Sequence, residues 1–540
     1  MTVNDEKQTG RGIRQSMSDL HTWTGLLFGW VLFAMFLTGT VAYFKDELSQ
    51  WMRPELAYQA QVPDQAVVAQ RIADEFARMI PGSPQWSMKL PDARNNSVYA
   101  FWRTGDRSAG QRGFGEGYFD PATGQKVTAR DTLGGDFFYR FHFQFHYMPV
   151  QWGRWLAGVA AMFMLVAIVS GVITHKKIFV DFFTFRWGKG QRSWLDAHNA
   201  LSVFGLPFHF MITYTGLVTL MALYMPWGER AALFTPPERQ QYQAELSAFL
   251  APGKASGQAV PLASVEAMVR QAQERWGKEN VGRVNAVHPG DAAARIAVTR
   301  GDAGRVSMSP QYMEFEGTTG RLLNVRESVG AAAEARGVLY ALHLGRFSDI
   351  VTRWLYFIVS FMGTAMVGTG LVMWTVKRRQ KLRDPDHPHF GFRVVERLNI
   401  AGIAGLSIAM TGYLWANRLL PQTLSGRADW EIHVFFALWA LTLAHAMLRR
   451  AKTAWIEQLW AGAALLLLLP LLNAFATSRP FWRSAAQGDW IFLTTDLMCL
   501  ALAAMHVALA LRAARHRPRT RAARKPRPER INAVLHEERL

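Results

Sequence analysis

Eight apolar runs of about 20 residues, each long enough to cross a hydrocarbon layer of about 30 Å, constrain this chain more than any other feature. They fall near 22–44, 153–174, 199–224, 351–376, 398–417, 431–448, 454–474 and 490–511. Between the first and second runs, and between the third and fourth, lie segments of roughly 100 residues with the pattern of soluble domains. Overall composition does not make this distinction. A 540-residue chain that is 50% hydrophobic, with 20 Trp, 34 Phe and a mean hydropathy of zero, would also suit a large soluble enzyme.

Lys and Arg in the short loops set the expected orientation. Lys176, Lys177, Arg186, Lys189 and Arg192 follow the second run, and Lys377, Arg378, Arg379, Lys381, Arg383, Arg393 and Arg397 follow the fourth. Arg449, Arg450, Lys452 and the tail from Arg512 to Arg530 agree, whereas 418–430 and 475–489 are poor in basic residues. Both termini are therefore expected in the cytoplasm and the two soluble segments outside, and the net charge of +19 is mostly this asymmetry. Behind a membrane span, the basic tail suits anionic lipid better than nucleic acid. The first run is full length and no small-residue cleavage site follows TGTVAYFKDEL, so it is expected to remain as a helix. The one cysteine, Cys499, excludes a disulfide framework, covalent CxxCH haem, thiolate-bound clusters and Cys-type zinc sites. Any redox group must be held by histidine.

The first 380 residues contain an internal repeat. His21 precedes Thr38-Gly39 at the same spacing as His198 precedes Thr215-Gly216, and Arg154-Trp155 leads to Ser170-Gly171 as Arg353-Trp354 leads to Thr369-Gly370. The soluble segments repeat too: VYAFWRTGD at 98–106 parallels RIAVTRGD at 295–302, and FDPATG at 119–124 parallels FEGTTG at 315–320. Each begins with a helix-like stretch, 67–80 and 262–277, followed by alternating strand-like runs, which predicts a small α+β fold. Neither carries catalytic spacing, so both are expected to bind or cover something. The last four runs show no echo of the repeat.

The histidines carry the chemistry. His21 and His198 occupy equivalent places at the cytoplasmic ends of the first and third spans, with His175 at a similar depth. In an up-down four-helix arrangement those two spans are diagonal, and inward histidines could clamp a planar metallocycle, the geometry of bis-histidine haem b. On the outer side His142 and His146 are four apart and would share a helical face. Ungapped, His343 falls opposite Gln144, between the two. His146 is the first choice as its partner, leaving His142 to shape the haem edge or touch substrate. His209 faces the same interior as His198, as an alternative ligand, a stepping point or a satisfied core residue. His433, His445 and His506 suit packing or proton handling.

The chain resembles the PepSY-associated transmembrane family, and especially its members that act as inner-membrane siderophore reductases. HTWTGLLFGW, FHFQFHYMPVQWGRW, SGVITHKKIF, FFTFRWGKGQRSWLDAHN, PFHFMITYTG, LHLGRF and the two DPxTG-like endings carry the resemblance over roughly 15–380. It implies an α-helical membrane protein of about eight transmembrane helices with two periplasmic α+β PepSY-like domains. The expected divisions are a first span at 15–45, PepSY-like domains at 55–130 and 226–335, two spans with their loop at 138–225, a fourth span at 338–380, a four-helix membrane region at 390–513 and a basic tail at 514–540.

The resemblance further implies two haem b groups, with haem iron held by His21, His198, His146 and His343, in a bacterial inner membrane. Electrons would enter near His21, His198 and His175 and leave near His146 and His343 to a ferric siderophore or other Fe(III) chelate. Reduction to Fe(II) weakens the hold of hard oxygen ligands and releases iron. Arg140, Tyr147 and Arg346, with Tyr139 and Trp152 nearby, are the candidates for receiving the chelate. The cytoplasmic loops are too short for a flavin or nicotinamide domain, so a membrane quinol or a separate donor is required. Arg186, Lys189, Arg192, Trp194 and Asp196 are candidates for its contact. Two other classes remain, an iron or siderophore transporter and a non-enzymatic PepSY-based regulator.

Overall fold

A computed structural model describes residues 12–56, 63–104, 113–175, 186, 191–232, 234–246, 253–385 and 387–516. Lys176, Lys177, Lys189 and the tail beyond His516 lie outside these residues. The first repeat comprises α1 (Ile13–Ala42), α2 (Lys45–Trp51), α3 (Gln65–Met79), strands β1 (Gln85–Lys89), β2 (Val98–Arg103), β3 (Phe114–Phe119) and β4 (Lys126–Val127), then α4 (Asp136–Gln144) and α5 (Val150–Thr174). The second begins with α6 (Gln191–Phe204) and α7 (Leu206–Thr219) and continues through short helices α8 (Met221–Tyr224), α9 (Trp227–Ala232) and α10 (Pro236–Leu246). It ends with α11 (Val265–Trp276), β5 (Val281–Val287), β6 (Arg295–Arg300), β7 (Tyr312–Glu316), β8 (Leu322–Arg326), α12 (Ala331–Leu344) and α13 (Ile350–Arg379). Beyond it lie α14 (Phe390–Ile400), a π turn (Ala401–Gly405), α15 (Leu406–Leu419), α16 (Arg427–Leu448), α17 (Ala451–Ala476), α18 (Phe481–Gln487) and α19 (Trp490–Arg515).

Among the described residues seven helices are long and apolar enough to cross a membrane, and α6 with α7 makes up to eight. The third span is not straight: its two helices meet at 67° around Gly205. Pro207, in the first turn of α7, has no N–H to donate and its ring opposes a continuous helix, which explains the break. Hydroxyl side chains within the first span close on their own backbone. Thr24, Thr38 and Thr40 of α1 donate to the carbonyls four residues before them at 2.8, 2.6 and 2.7 Å.

In the core of the repeat, α1 packs against α5 and α13, and the α6–α7 pair packs against the same two, so α1 and α6–α7 stand diagonally. One end of this bundle carries Lys377, Arg378 and Arg379 in the last turn of α13, where cations also suit the helix dipole. The other end meets the strands. We refer to these as the basic end and the sheet end.

The two soluble segments share one continuous eight-stranded antiparallel sheet, ordered β4-β3-β2-β1-β5-β6-β7-β8. The join is β1 against β5, with Ser87 opposite Asn285 and their side chains hydrogen-bonded at 2.6 Å. Pairing two strands that would each be an edge protects both, which favours fusion over two free-standing domains. α3 and α11, capped by Asp64 and Ser264, cover one face. Phe76, Trp86, Val98 and Phe119 from one segment share a core with Met268, Val284, Ile296 and Phe315 from the other. Burying side chains of this size contributes about 1.5–3 kcal/mol each.

The last four spans are tied to the repeat at two levels. In mid-bundle, Trp30 of α1 donates to Asn399 of α14 at 2.9 Å, and Asn399 donates to the Leu371 carbonyl of α13 at 3.0 Å. At the sheet end, Arg427 and Glu431 form an ion pair with both side chains at 0% exposure. Glu431 also accepts from Asn417 at 2.8 Å and from Thr132 in the segment before α4. Arg418 lies 3.8 Å from the Trp51 ring centre and donates to the Trp51 carbonyl at 2.6 Å and to Asn473 at 3.0 Å. Buried charge is tolerated here because each group meets several partners.

Candidate cofactor site: two facing histidine pairs

Four histidines meet in two pairs inside the repeat bundle. The rings of His21 and His198 have centres 6.2 Å apart near the basic end, and those of His142 and His343 have centres 6.2 Å apart near the sheet end. His21 and Met35, the residue against which His142 is oriented, are 14 positions apart on α1, so the pairs are separated by about 21 Å along the helix. Each pair takes one ring from each half of the repeat.

All four rings are oriented in the same way. The Nδ1 atoms donate to backbone carbonyls: His21 to Ala167 at 2.8 Å, His142 to Met35 at 2.6 Å, His198 to Met366 at 2.9 Å and His343 to Ile212 at 3.0 Å. A carbonyl can only accept, so each neutral ring carries its proton on Nδ1 and presents a lone pair on Nε2. No hydrogen bond engages these four Nε2 atoms among the described residues.

The Thr-Gly and Ser-Gly pairs of the repeat build the opposite wall. Each accepting carbonyl lies four residues before one of those glycines. It also takes the hydroxyl of the intervening Ser170, Thr38, Thr369 or Thr215 at 3.2, 3.4, 2.9 and 3.4 Å. A Cβ on Gly39 would stand 2.6 Å from the His142 ring, and one on Gly216 would stand 2.8 Å from His343. On Gly171 and Gly370 it would meet His21 at 3.2 Å and His198 at 3.3 Å. The repeat marks these positions in the sequence, but their task of holding space beside a ring becomes visible only when the helices are packed.

The spacing tests a metallocycle directly. A metal–nitrogen bond of about 2.0 Å on each side, plus about 1.1 Å from each nitrogen to its ring centre, puts two in-line histidines sharing one metal about 6.2 Å apart between ring centres. Both pairs match this value. Among the described residues no group of three or more His, Cys, Asp or Glu could hold a metal ion. Two nitrogens per site leave the other coordination positions to a planar ligand, so the residues present fit haem.

His343 faces His142 and not His146, the expected first choice, and the helical face that His142 and His146 would share does not exist. α4 ends at Gln144, Phe145 turns to φ 55° and Tyr147 also has φ 55°, which carries His146 out of the helical register. Its ring stacks on Phe436 of α16, 5.7 Å between centres. Phe137 and Tyr147 are its other ring neighbours. His175 sits at the basic end, its Nε2 accepting from Asn199 at 2.9 Å. His209 lies between the pairs, just beyond the break in the third span, with Nε2 donating to the Val359 carbonyl at 3.3 Å and Phe36 beside it. Neither faces a second histidine across a gap of this kind. His433 meets the Tyr147 hydroxyl, His445 pairs with Glu457 at 2.9 Å, and His506 bonds the Leu502 carbonyl of its own helix.

The face of the sheet opposite α3 and α11 looks onto the helix ends at the sheet end across a cavity, which Arg140 and Arg346 both line. Arg346 stands 3.5 Å from Asp302. Arg140 has no ion-pair partner among the described residues. Arg283 of β5 lines the same space, its guanidinium donating to the Ser87 hydroxyl at 3.2 Å, and burial lowers its pKa. Tyr99 and Tyr118 add hydroxyls. Tyr147 is not part of this lining: its ring lies 4.8 Å from Phe436. Tyr139 packs on Phe143, and Trp152 is 71% exposed. At the basic end Arg186 binds Asp196 at 2.8 Å, which makes that pair a brace, while Arg192 and Trp194 line an opening between the bundles.

The fold and these pairs define a class: a multi-pass membrane protein in which two helix–sheet–helix halves of the same orientation bring histidines together in pairs. The family model described as the PepSY-associated TM region matches residues 18–377, and the chain belongs to that family. No curated protein matches the chain.

Proposed function

We propose that this chain is an inner-membrane haem b oxidoreductase that passes electrons across the membrane to periplasmic ferric siderophores and so releases Fe(II) for uptake. The single observation that carries the reading is the 6.2 Å spacing of both histidine pairs, each ring oriented by a backbone carbonyl at Nδ1 so that Nε2 is left with its lone pair. His21 with His198 and His142 with His343 would hold the two haems. When bound, such groups supply one-electron carriers whose potentials follow from axial ligands, hydrogen bonding and burial.

The protein's own part is positional. The Nδ1–H bonds to Ala167, Met35, Met366 and Ile212 fix tautomer and ring orientation and raise the basicity of Nε2. The glycines leave room on the far side of each ring. With the basic end in the cytoplasm, the cavity under the sheet is periplasmic, and Arg140, Arg346 and Arg283 there suit an anionic Fe(III) chelate. Electrons arrive at the basic end from a quinol or a separate donor.

The test is anaerobic. The purified protein is reduced with dithionite, freed of excess reductant and mixed with a ferric hydroxamate chelate. The expected result is reoxidation of the haem absorption bands with one captured Fe(II) per electron lost. An absence of split haem b bands, or bands that stay reduced, overturns the reading. The first outcome would favour a transporter and the second a regulator.

A further inference from the structure

The cavity under the sheet continues along α13 as a crevice between the repeat bundle and the last four spans, and it opens at the basic end. Its membrane-level walls are mainly apolar, with Val372 and Val376 of α13, Leu459 of α17, and Leu502 and Leu509 of α19, interrupted by Thr369 and Thr375 of α13 and His506 of α19. Its mouth is cationic, with Arg192, Lys381, Arg393, Arg397 and Arg450 among its lining residues and Glu396 as a carboxylate on the same rim. Glu396 is already engaged by Arg379 at 2.5 Å. Arg397 stands 3.9 Å from it, and its Nη1, although sealed from solvent, makes no hydrogen bond among the described residues. Arg192, Lys381, Arg393 and Arg450 have no ion-pair partner among those residues.

A cluster of cations at the level of a membrane surface, with an apolar slot running inward from it, matches one kind of molecule in both parts. An anionic head group would satisfy the arginines, and acyl chains would fill the slot. A free anion would leave the slot empty, and a neutral quinol would leave the cations unpaired. We infer that this crevice is a binding site for an anionic phospholipid, held head group first by Arg393, Arg397 and Arg450, and that this lipid joins the last four spans to the repeat bundle. The site does not depend on the haem reading, because none of these residues belongs to the histidine pairs.

Native mass spectrometry of the full-length protein tests the inference, with phosphatidylglycerol or phosphatidylcholine of matched chain length added back after delipidation. About one phosphatidylglycerol per chain should be retained through washing, with phosphatidylcholine at least tenfold weaker. Arg393→Gln with Arg397→Gln should weaken retention roughly 30-fold, from two surface cations lost. If that double variant fails to fold, Arg450→Gln should still weaken retention severalfold. Inorganic phosphate should not displace the lipid. Equal retention of the two lipids, unchanged retention in the variants, displacement by phosphate alone, or a quinone retained in place of the lipid would each overturn the inference.

Discussion

At the scale of single residues, the site depends as much on four glycines as on four histidines. The clearances grade the consequences: Gly39→Ala and Gly216→Ala put a methyl at 2.6 and 2.8 Å from a ring, whereas Gly171→Ala and Gly370→Ala leave 3.2 and 3.3 Å. The first two variants should lose the haem at the sheet end and cost about 1–3 kcal/mol of stability through overpacking. The second two should keep both haems with a displaced ring, which haem quantification and redox titration would separate. Equal loss in all four would contradict the packing argument. His142→Ala should remove one haem and His146→Ala none, read from haem per chain. The sequence carries the four histidines and four glycines plainly through the repeat. It does not choose His142 over His146, because that choice depends on where α4 stops, and Phe145 at positive φ is a local event without a sequence signature as clear as glycine or proline.

At the scale of elements, two contacts make distinct predictions. Glu327, at the end of β8, is held at about 2 by the hydrogen bond from Arg275 of α11, against an ordinary carboxylate value of 4.5. A depressed carboxylate adds stability in full above 4.5, and that contribution fades as pH falls from there towards 2. The side chain is 40% exposed, so solvent screening limits the effect to about 0.2–1 kcal/mol. Glu327→Gln should cost that much at pH 7 and close to nothing at pH 2, measured by amide exchange along β8. Glu431 is the opposite case: Glu431→Ala leaves Arg427 charged, buried and without its carboxylate, at a cost of about 3–5 kcal/mol. Thermal unfolding in detergent should show the loss, and replacing Arg427 and Glu431 together with leucines should recover part of it. A single-variant loss under 1 kcal/mol would mean water reaches this pair.

At the scale of the molecule, the repeat forms one structure, because both histidine pairs and the β1–β5 join require both halves. Residues 1–190 expressed alone should retain no haem, and coexpression with 191–540 should restore two per complex, counted by haem per mass. Retention by the first half alone would break the pairing scheme. The sequence by itself determined the spans, the repeat, the basic end and the histidines worth testing, because apolar length, charge asymmetry and matched spacing are properties of the chain in order. Only the tertiary structure decided that the two soluble segments share one sheet, that the third span breaks at Pro207, that His142 faces His343, and that Arg427 and Glu431 anchor the last four spans. Each of these depends on contacts between residues distant in the chain, or on where a helix ends under packing, and linear spacing records neither.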